Sequence, residues 1–319
     1  MAEYLVKIDD NSLIDRLVNE TDKSSVTINR FGGEVIGYRI AGRDKGKEVG
    51  LLYRDGLAEK PDDGWKNHAT ILFPIVGGLK NKKSMLGDKV ISSKSNHGFA
   101  RHSTFEVAGQ ETEGMAALHY RLVPNDEIRG YYPFDFQLDV TYQLAGNELT
   151  TIFAITNTEK DRDIYFCFGW HPGFKAPVID GLGEKADCQL LFKKGTFRKY
   201  HNNEECRLTG ETSEIEIEGA LAWTEEELEA TIMLEIDEPD NRVCRLYDPA
   251  ARLEIEVDFK EMPHLGFWSE PGYNFICIEP WQGMDDHEQQ EPFDKKVGVV
   301  KLVPGETEQR SITVRPRFV

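Results

Sequence analysis

Apolar residues recur at every second position along much of this chain. The longest example joins Phe134, Phe136, Leu138, Val140, Tyr142 and Leu144, with polar residues between them. Because the side chains of a β-strand point alternately to two faces, a period of two predicts a half-buried strand. Shorter stretches with the same pattern lie at 115–123, 215–217, 253–259 and 311–314.

Clusters of Gly, Asn, Asp and Pro separate these stretches, and such clusters are typical of turns between strands. Helical patterns are few. Thr224, followed three positions later by Glu227, predicts a capping box that opens a short helix, and we predict a second short helix at 11–19. No helix alternates regularly with the strands, which argues against a parallel sheet. The sequence therefore predicts an all-β fold of large, mostly antiparallel twisted sheets, forming one domain over residues 1–319.

The charge of the chain excludes several kinds of partner. Its 319 residues carry 38 Lys and Arg against 56 Asp and Glu, a net charge of −18. Nucleic acids and anionic membranes attract basic surfaces, so we expect neither as a partner. The apolar runs are too short to cross a bilayer, and the N-terminus lacks the apolar core of a signal peptide. Five cysteines without a Cys-x-x-Cys pair indicate reduced, buried thiols. We expect a cytoplasmic protein, either a monomer or a homodimer, with most of its acidic residues on solvated strand faces.

Two histidines lie in segments that mix titratable residues with Gly, Pro and aromatic residues. His97 and Arg101 are four positions apart in a turn-rich stretch, where they can converge on one polar ligand. Taken alone, His97 fits a surface-loop or hydrogen-bonded core histidine better than a ligand-binding one. Further along, an apolar run leads into His171 and Pro172. Because proline has no N–H, we predict that this strand ends or reaches a sheet edge there. His171 then lies beside a cleft with aromatic walls that suit a sugar, or packs at the rim of the sheet.

Acidic residues define the remaining candidates. Glu279 directly follows the apolar run at 275–278, and a carboxylate at the end of a buried strand is costly unless it has partners or a function. Asp285, Asp286 and His287 suggest either a metal site or a solvated loop, and we favour the loop. Zinc-ligand spacings, glycine-rich phosphate loops and nucleophile elbows are lacking, so we expect no cofactor and no metal.

These segments, in this order, resemble the aldose 1-epimerase (mutarotase) family, most closely its LacX-like branch. The resemblance spans about residues 25–316. It implies a galactose mutarotase-like β-supersandwich with a sugar-binding cleft, and an isomerase that interconverts the α and β anomers of a hexose without cofactor or metal. The motifs that carry it are Phe73–Gly77, His97–Arg101, Tyr132–Phe134, Asn157, Gly169–Phe174, Cys277–Gly283 and Val303–Glu306.

The resemblance also implies residue roles. Glu279 matches the general base that removes the proton of the anomeric hydroxyl, and His171 matches the general acid that protonates the ring oxygen. Free Glu titrates near 4.3 and free His near 6.5, which predicts an ionised Glu279 and a readily protonated His171. We expect the two groups on opposite sides of a sugar-sized gap. Four further residues are candidates for sugar binding: His97, Arg101, Trp281 and, by rough position only, Asp248.

The sequence departs from the family pattern at two positions. Gly78 stands where members often have an arginine that contacts sugar hydroxyls, and Gly173 stands where they have a tyrosine. Nearby Lys80 cannot reproduce a bidentate guanidinium. Two alternatives therefore stay open beside the mutarotase. One is a hexose-6-phosphate epimerase, supported by Arg101 alone, and the other is a non-catalytic sugar-binding protein on the same fold.

Overall fold

The computed structural model describes residues 2–44, 47–56 and 64–319. Its strands form sheets of nine, seven and five strands and two two-stranded sheets. Every pairing between two of these strands is antiparallel, which confirms the predicted fold class. In chain order the strands are β1 (Tyr4–Lys7), β2 (Ile14–Asn19), β3 (Ser24–Asn29), β4 (Glu34–Ala41), β5 (Glu48–Gly50), β6 (Ala69–Leu72), β7 (Lys83–Leu86), β8 (Lys89–Ser92), β9 (Glu106–Glu111), β10 (Ala116–Leu122), β11 (Phe136–Ala145), β12 (Glu148–Asn157), β13 (Ile164–Phe166), β14 (Phe168–Lys175), β15 (Gln189–Leu191), β16 (Gly195–Asn202), β17 (Leu208–Ile217), β18 (Ala220–Leu221), β19 (Ile232–Glu235), β20 (Val243–Asp248), β21 (Leu253–Asp258), β22 (His264–Trp268), β23 (Phe275–Gln282), β24 (Val300–Leu302) and β25 (Thr307–Phe318).

Helices are short among the described residues. The predicted capping box is confirmed in helix α2 (Glu225–Glu229), where Thr224 Oγ1 accepts from Glu227 N–H at 3.1 Å and the Glu227 carboxylate accepts from Thr224 N–H. Helix α1 (Asp126–Tyr131), which we did not predict, begins after an Asn125 cap. Neither helix is long and apolar enough to cross a membrane, and that holds for every helix in the described ranges. Single 3₁₀ turns lie at Lys80–Lys82, Ala100–His102, Lys185–Asp187, Pro239–Asn241 and Phe293–Lys295.

The nine-stranded sheet has the order β18-β15-β20-β21-β25-β12-β11-β10-β9. The alternating stretches predicted at 134–144, 253–259 and 311–314 are confirmed as β11, β21 and part of β25, and alternate residues of β11 are buried. On β21 the outward acidic residues pair with arginines of β25, such as Glu254 with Arg317 at 2.6 Å. Part of the acidic excess is therefore balanced across strands.

The seven-stranded sheet, β17-β16-β19-β22-β23-β14-β6, separates the main core from the candidate site. On β23, Ile276 and Ile278 pack into the large core cluster, and on β14 Phe168, Trp170 and Phe174 do the same. Successive strand residues face opposite sides, so the residues between them lie on the other face. That second face carries the candidate site.

The short helix predicted at 11–19 is wrong, because residues 14–19 form β2, paired with β1 and β3. Asp15 explains the error, since its carboxylate lies at an inward position where the alternation called for an apolar residue. The cysteine prediction also needs one correction. Cys167, Cys188, Cys244 and Cys277 are free and buried, whereas Cys206 is exposed.

A buried ion pair joins the five-stranded and nine-stranded sheets. Asp15 of β2, fully buried, accepts from Arg30 Nε at 2.8 Å and Nη2 at 3.0 Å. Tyr120 of β10 donates its hydroxyl proton to the same carboxylate at 2.8 Å. Arg30 also reaches Asp10 at 2.8 Å, but the Asp10 side chain is 83% exposed.

We predict that Asp15→Ala lowers the free energy of unfolding by about 3–5 kcal/mol, because it leaves a buried guanidinium and a buried hydroxyl without their shared acceptor. Asp10→Ala removes the exposed partner of the same arginine and is expected to cost about 1 kcal/mol or less. Urea denaturation of the two variants measures both values. Equal losses would show that the buried pair does not hold the two sheets together.

Candidate active site

Four adjacent strands, β22, β23, β14 and β6, carry the candidate site. Gly266 of β22 pairs with Glu279 of β23, and His171 of β14 pairs with Thr70 of β6. Between β14 and β23, 168–169 pair with 281–282 and 173–175 pair with 275–277, all in one register. Continuing that register across the unpaired stretch places His171 directly opposite Glu279. The general acid and base candidates therefore stand side by side in one row across the sheet.

The prediction that this strand, β14, ends or reaches a sheet edge at Pro172 is wrong. The strand continues to Lys175 and has neighbours on both sides. Gly173 N–H donates to the carbonyl of His68, the residue before β6, at 2.7 Å, so strand alternation directs the nitrogen of Pro172 toward β23. The missing N–H interrupts only the β23 ladder, at the position where the His171 and Glu279 side chains meet.

His171 and Glu279 contact each other directly. Nε2 of His171 lies 3.2 Å from Oε2 of Glu279, and the two residues are 6% and 1% exposed. The expectation of a sugar-sized gap between them is therefore wrong. Two of their polar atoms, His171 Nδ1 and Glu279 Oε1, have no hydrogen-bond partner among the described residues. The pair thus presents unused hydrogen-bonding capacity in a buried position.

Burial shifts the pKa values of Glu279 and His171 in opposite directions. It raises the pKa of Glu279 well above 4.5 and lowers the pKa of His171 well below 6.5. The nearby Trp281 indole N–H and the positive charge of Arg101 offset part of the rise at Glu279. The free-residue values predicted a carboxylate beside an imidazolium. In the buried site, desolvation favours the neutral carboxyl and imidazole instead, with one proton still held by the pair.

His97 lies beside this pair as a neutral hydrogen-bond donor. Its ring centre is 5.3 Å from that of His171, with the rings nearly perpendicular at 86°. Burial, together with the charge of Arg101, lowers the pKa of His97 to about 3. Nδ1 accepts from Gly77 N–H at 3.1 Å, so the ring proton is assigned to Nε2. His97 therefore has one N–H to offer a ligand.

Arg101 lies in the 3₁₀ turn Ala100–His102, near two acidic residues. Burial lowers the pKa of its guanidinium, while Glu34 and Glu279 act to raise it. Glu34 also accepts from His68 N–H at 2.6 Å. Arg101 Nε has no hydrogen-bond partner among the described residues. The structure thus brings Arg101 near the pair, where Glu34 and Glu279 act on its charge.

Trp281 lies on the same face of β23, two residues after Glu279. A Cβ on Gly266 would come within 2.5 Å of its ring, and one on Gly169 within 2.8 Å. These glycines flank β23 on both sides, so the indole can lie across the neighbouring strands. Trp281 is only 2% exposed. It forms the apolar floor beside the Glu279 carboxylate.

Trp65, which the sequence analysis missed, covers Gly173. A Cβ on Gly173 would lie 2.5 Å from Trp65 Cζ3, so the indole occupies the space that a side chain there would need. Its ring stacks on His171 at 5.0 Å and on Phe275 at 5.4 Å. The aromatic wall that Gly173 cannot supply thus comes from a different segment. A lone tryptophan in a polar stretch was the only sequence signal.

Gly78 is covered in a similar way by Arg207. A Cβ on Gly78 would lie 2.7 Å from Arg207 Nη1 and 2.6 Å from Asn96 Oδ1. Gly78 N–H donates to Asp285 Oδ1 at 2.7 Å. A guanidinium therefore lies next to Gly78, although the residue that carries it is about 130 positions away in sequence. Neither Arg207 nor Asp285 is among the sugar-binding residues predicted from the sequence.

The interpretation of Asp285 and Asp286 as part of a solvated loop is wrong. They are 9% and 1% exposed. Asp286 pairs with the buried Lys296 at 2.8 Å. Burial raises the pKa of Asp285 to about 6. Their side chains support the wall of the candidate site that holds Gly78.

Asp248 is not brought to the pair. Its Oδ2 accepts from Val178 N–H at 2.8 Å, and its Oδ1 accepts from the N–H groups of Ala250 and Ala251 at 3.0 Å. These bonds hold the turn that follows β20 and occupy both oxygens. The proposed role of Asp248 in sugar binding is withdrawn, since its carboxylate is engaged in local structure.

Cys277 is a further neighbour of the pair that the sequence analysis did not place there. Ligand atoms of His171, Cys277 and Glu279 lie within 4.8 Å of one another, as a metal would require. Burial raises the pKa of the Cys277 thiol well above 9, which opposes the thiolate form that metals bind. The nearby charge of Arg101 also acts against a cation. The absence of a metal requirement stays a prediction.

Residues 16–315 match the family model of aldose 1-epimerase, so the chain belongs to that family. Membership implies a small-molecule sugar as the partner. The chain is similar to the LacX proteins of Lactococcus lactis subsp. lactis, plasmid and chromosomal. Each is 25% identical over 84% of this chain and 93% of the relative. A galactose mutarotase related enzyme from Lactobacillus acidophilus has a similar structure, with a TM-score of 0.82 and 26% identity over 98% of this chain and 97% of that one. A galactose mutarotase-like protein from Lactobacillus casei superimposes with a TM-score of 0.81 at 23% identity over 98% and 100% of the two chains. The predicted galactose mutarotase-like fold is confirmed.

The buried Asp285 predicts a measurable pH dependence of stability. Its pKa is about 6 in the folded protein against a usual 3.8, so the folded state holds this proton more tightly than the unfolded state. The contribution of Asp285 to stability is therefore greatest below about pH 4 and falls as the pH rises to about 6. The full difference is about 3 kcal/mol. Relative to wild type, Asp285→Asn should gain about this much stability between pH 4 and pH 7 in urea denaturation.

The control for this experiment is Asp126→Asn, because the Asp126 side chain is fully exposed and its removal costs the same unit of charge. We expect its stability difference from wild type to stay nearly constant over that pH range. If Asp285→Asn behaves like Asp126→Asn, the Asp285 carboxylate ionises in the folded protein as it does in water.

Proposed function

We propose that the protein is an aldose 1-epimerase that interconverts the α and β anomers of a hexose by acid and base catalysis. The observation that carries the proposal is the buried contact between His171 and Glu279, 3.2 Å apart on facing strands. The anomeric hydroxyl and the ring oxygen are bonded to the same carbon. Since the two oxygens are so close, the groups that exchange protons with them must also be close. A pair in contact meets that requirement better than the wide gap we first expected.

Ring opening needs one proton removed and one supplied. The Glu279 carboxylate takes the proton of the anomeric hydroxyl, the C1–O5 bond breaks as the C1 carbonyl forms, and His171 gives a proton to O5. After rotation about the C1–C2 bond, O5 attacks the other face of C1 and both protons return. The pair ends as it began, so no cofactor is consumed. Positioned acid and base groups each contribute about a hundredfold to ten-thousandfold in rate.

The protonation states of the pair are compatible with this reaction. A neutral carboxyl with imidazole and a carboxylate with imidazolium hold the same single proton, so one converts to the other by transfer over 3.2 Å. Burial favours the neutral form. The charge of Arg101 favours the carboxylate but disfavours the imidazolium, whereas a hydrogen bond from the anomeric hydroxyl favours the carboxylate without opposing the imidazolium. Substrate binding thus promotes the reactive form in the site where it is used.

Neighbouring side chains supply the remaining contacts with a sugar. The Nε2–H of His97 is a donor that stays neutral, so it can bond the sugar near its ring oxygen without competing for the proton. The indoles of Trp65 and Trp281 provide apolar surfaces against which the C–H faces of a sugar pack. A small neutral polyol fits this combination of aromatic surfaces and few polar groups.

Three further expectations stay predictions. They are a single domain over residues 1–319, a cytoplasmic location, and a monomer or homodimer.

We predict that Glu279→Gln and His171→Asn each slow anomer exchange by about a hundredfold or more, because each removes one of the two proton-transfer groups while keeping a similar shape. Polarimetry, together with NMR exchange measurements on a panel of aldoses, gives the rates. Glu254→Gln, on the outward face of β21, is the matched control and should keep wild-type activity.

Three outcomes would overturn the proposal that the protein is a mutarotase. The first is that wild type accelerates anomer exchange of no aldose, and the second is that Glu279→Gln keeps full activity. The third is tight sugar binding by calorimetry without turnover, which would establish a sugar-binding protein on this fold.

A further inference from the structure

The wall formed by Gly77 and Gly78 connects the proposed catalytic pair to a second polar cluster, which consists of Asp285 and Arg207. Gly77 N–H donates to His97, which lies beside His171, and Gly78 N–H donates to Asp285. A Cβ on Gly77 would come within 2.0 Å of Asp285 Oδ1, so a glycine is required for this close approach. The negative charge of Asp285 also acts on Glu279. Asp285 therefore lies near the proposed catalytic pair and is connected to it through Gly77, Gly78 and His97.

The guanidinium of Arg207 lies in this cluster, and much of its hydrogen-bonding capacity is unused. Nη1 donates to the Cys206 carbonyl and Nη2 to the Leu79 carbonyl, each at 3.2 Å, whereas Nε has no partner among the described residues. A guanidinium has five N–H groups, so others besides Nε are free of these two bonds. The side chain is only 15% exposed. Unused donors on a largely buried arginine point to a ligand.

The spacing of Arg207 and Asp285 suits a hydroxyl group. Nη1 lies 4.0 Å from Asp285 Oδ1, which is too far for a direct hydrogen bond. A hydroxyl between them can accept from the guanidinium and donate to the carboxylate. Both charges are then hydrogen-bonded, and the ligand itself needs no charge.

We propose that Arg207 and Asp285 form a hydroxyl-binding subsite that selects an unphosphorylated aldose by hydroxyls remote from the anomeric carbon. The proposal rests on the proposed function and names the substrate class of that same site. Asp285 lies 4.0 Å from Arg207 and offsets part of its charge, and the same carboxylate repels a phosphate dianion placed between them. A hexose 6-phosphate is therefore a poor substrate.

The test measures binding in a background that cannot turn the sugar over. Calorimetry on Glu279→Gln gives dissociation constants for D-glucose, D-galactose, their 6-phosphates and their monodeoxy analogues. Arg207→Gln, combined with Glu279→Gln, should weaken binding of the preferred free hexose about tenfold to a hundredfold. In the otherwise wild-type enzyme, Arg207→Gln should raise KM by a similar factor and change kcat less than about threefold. Arg207→Lys, which keeps the charge, should recover only part of the loss.

The deoxy sugars identify the contact. One analogue should bind the Glu279→Gln protein as weakly as the intact sugar binds the Arg207→Gln double variant, and the two losses should not add. Arg198→Gln is the matched control, because Arg198 is an exposed arginine on β16 of the same hairpin, paired with Glu235 at 2.5 Å. It should leave binding unchanged. Thermal unfolding of each variant separates loss of binding from loss of structure.

Two results would overturn the subsite. One is unchanged sugar affinity in folded Arg207→Gln and Arg207→Lys, and the other is tighter binding of a 6-phosphate than of the free hexose. These differ from failure of the proposed function. Sugar binding that depends on Arg207 without any turnover would support the subsite and refute the mutarotase, whereas absence of both binding and turnover would refute both.

Discussion

The site depends on one interruption in the hydrogen-bond ladder between β14 and β23. Pro172 cannot donate a hydrogen bond to β23, so the pairing of β14 with β23 is interrupted at 170–172 while the register on both sides stays fixed. That register sets His171 opposite Glu279, and burial by the surrounding aromatic rings sets their pKa values. A carboxylate in such surroundings is costly unless another group holds its proton or its charge. Each member of the pair gives the other one polar partner, whereas His171 Nδ1 and Glu279 Oε1 have none among the described residues.

The strands that carry the pair serve two purposes at once. On β23, Ile276 and Ile278 pack into the main core, while Cys277, Glu279 and Trp281 occupy the opposite face. A shift of one residue would send the carboxylate into the core and an isoleucine into the site. The same packing that stabilises the sheets therefore fixes the catalytic geometry.

The sequence predicted those features that follow from local chemistry. The alternation in β11, the capping box at Thr224 and the cost of a carboxylate at Glu279 are all properties of neighbouring residues. It could not place side chains that reach the site from remote segments, such as Trp65 and Arg207. It also misassigned β2, because Asp15 is buried only through its contacts with Arg30 and Tyr120. The burial of Asp285 could not be predicted from the sequence either, because it also depends on tertiary packing.

The glycine at 173 has a consequence for how relatives of this chain are compared. A tyrosine at that position and the indole of Trp65 would need the same volume, since a single Cβ already lies 2.5 Å from the ring. The two are mutually exclusive solutions for one wall. Column-by-column comparison of the strand would record only a lost aromatic residue, although the ring is retained in space. In this fold, an aromatic ring of the cleft can be supplied by a loop residue in place of a strand residue, and the sheet itself stays unchanged.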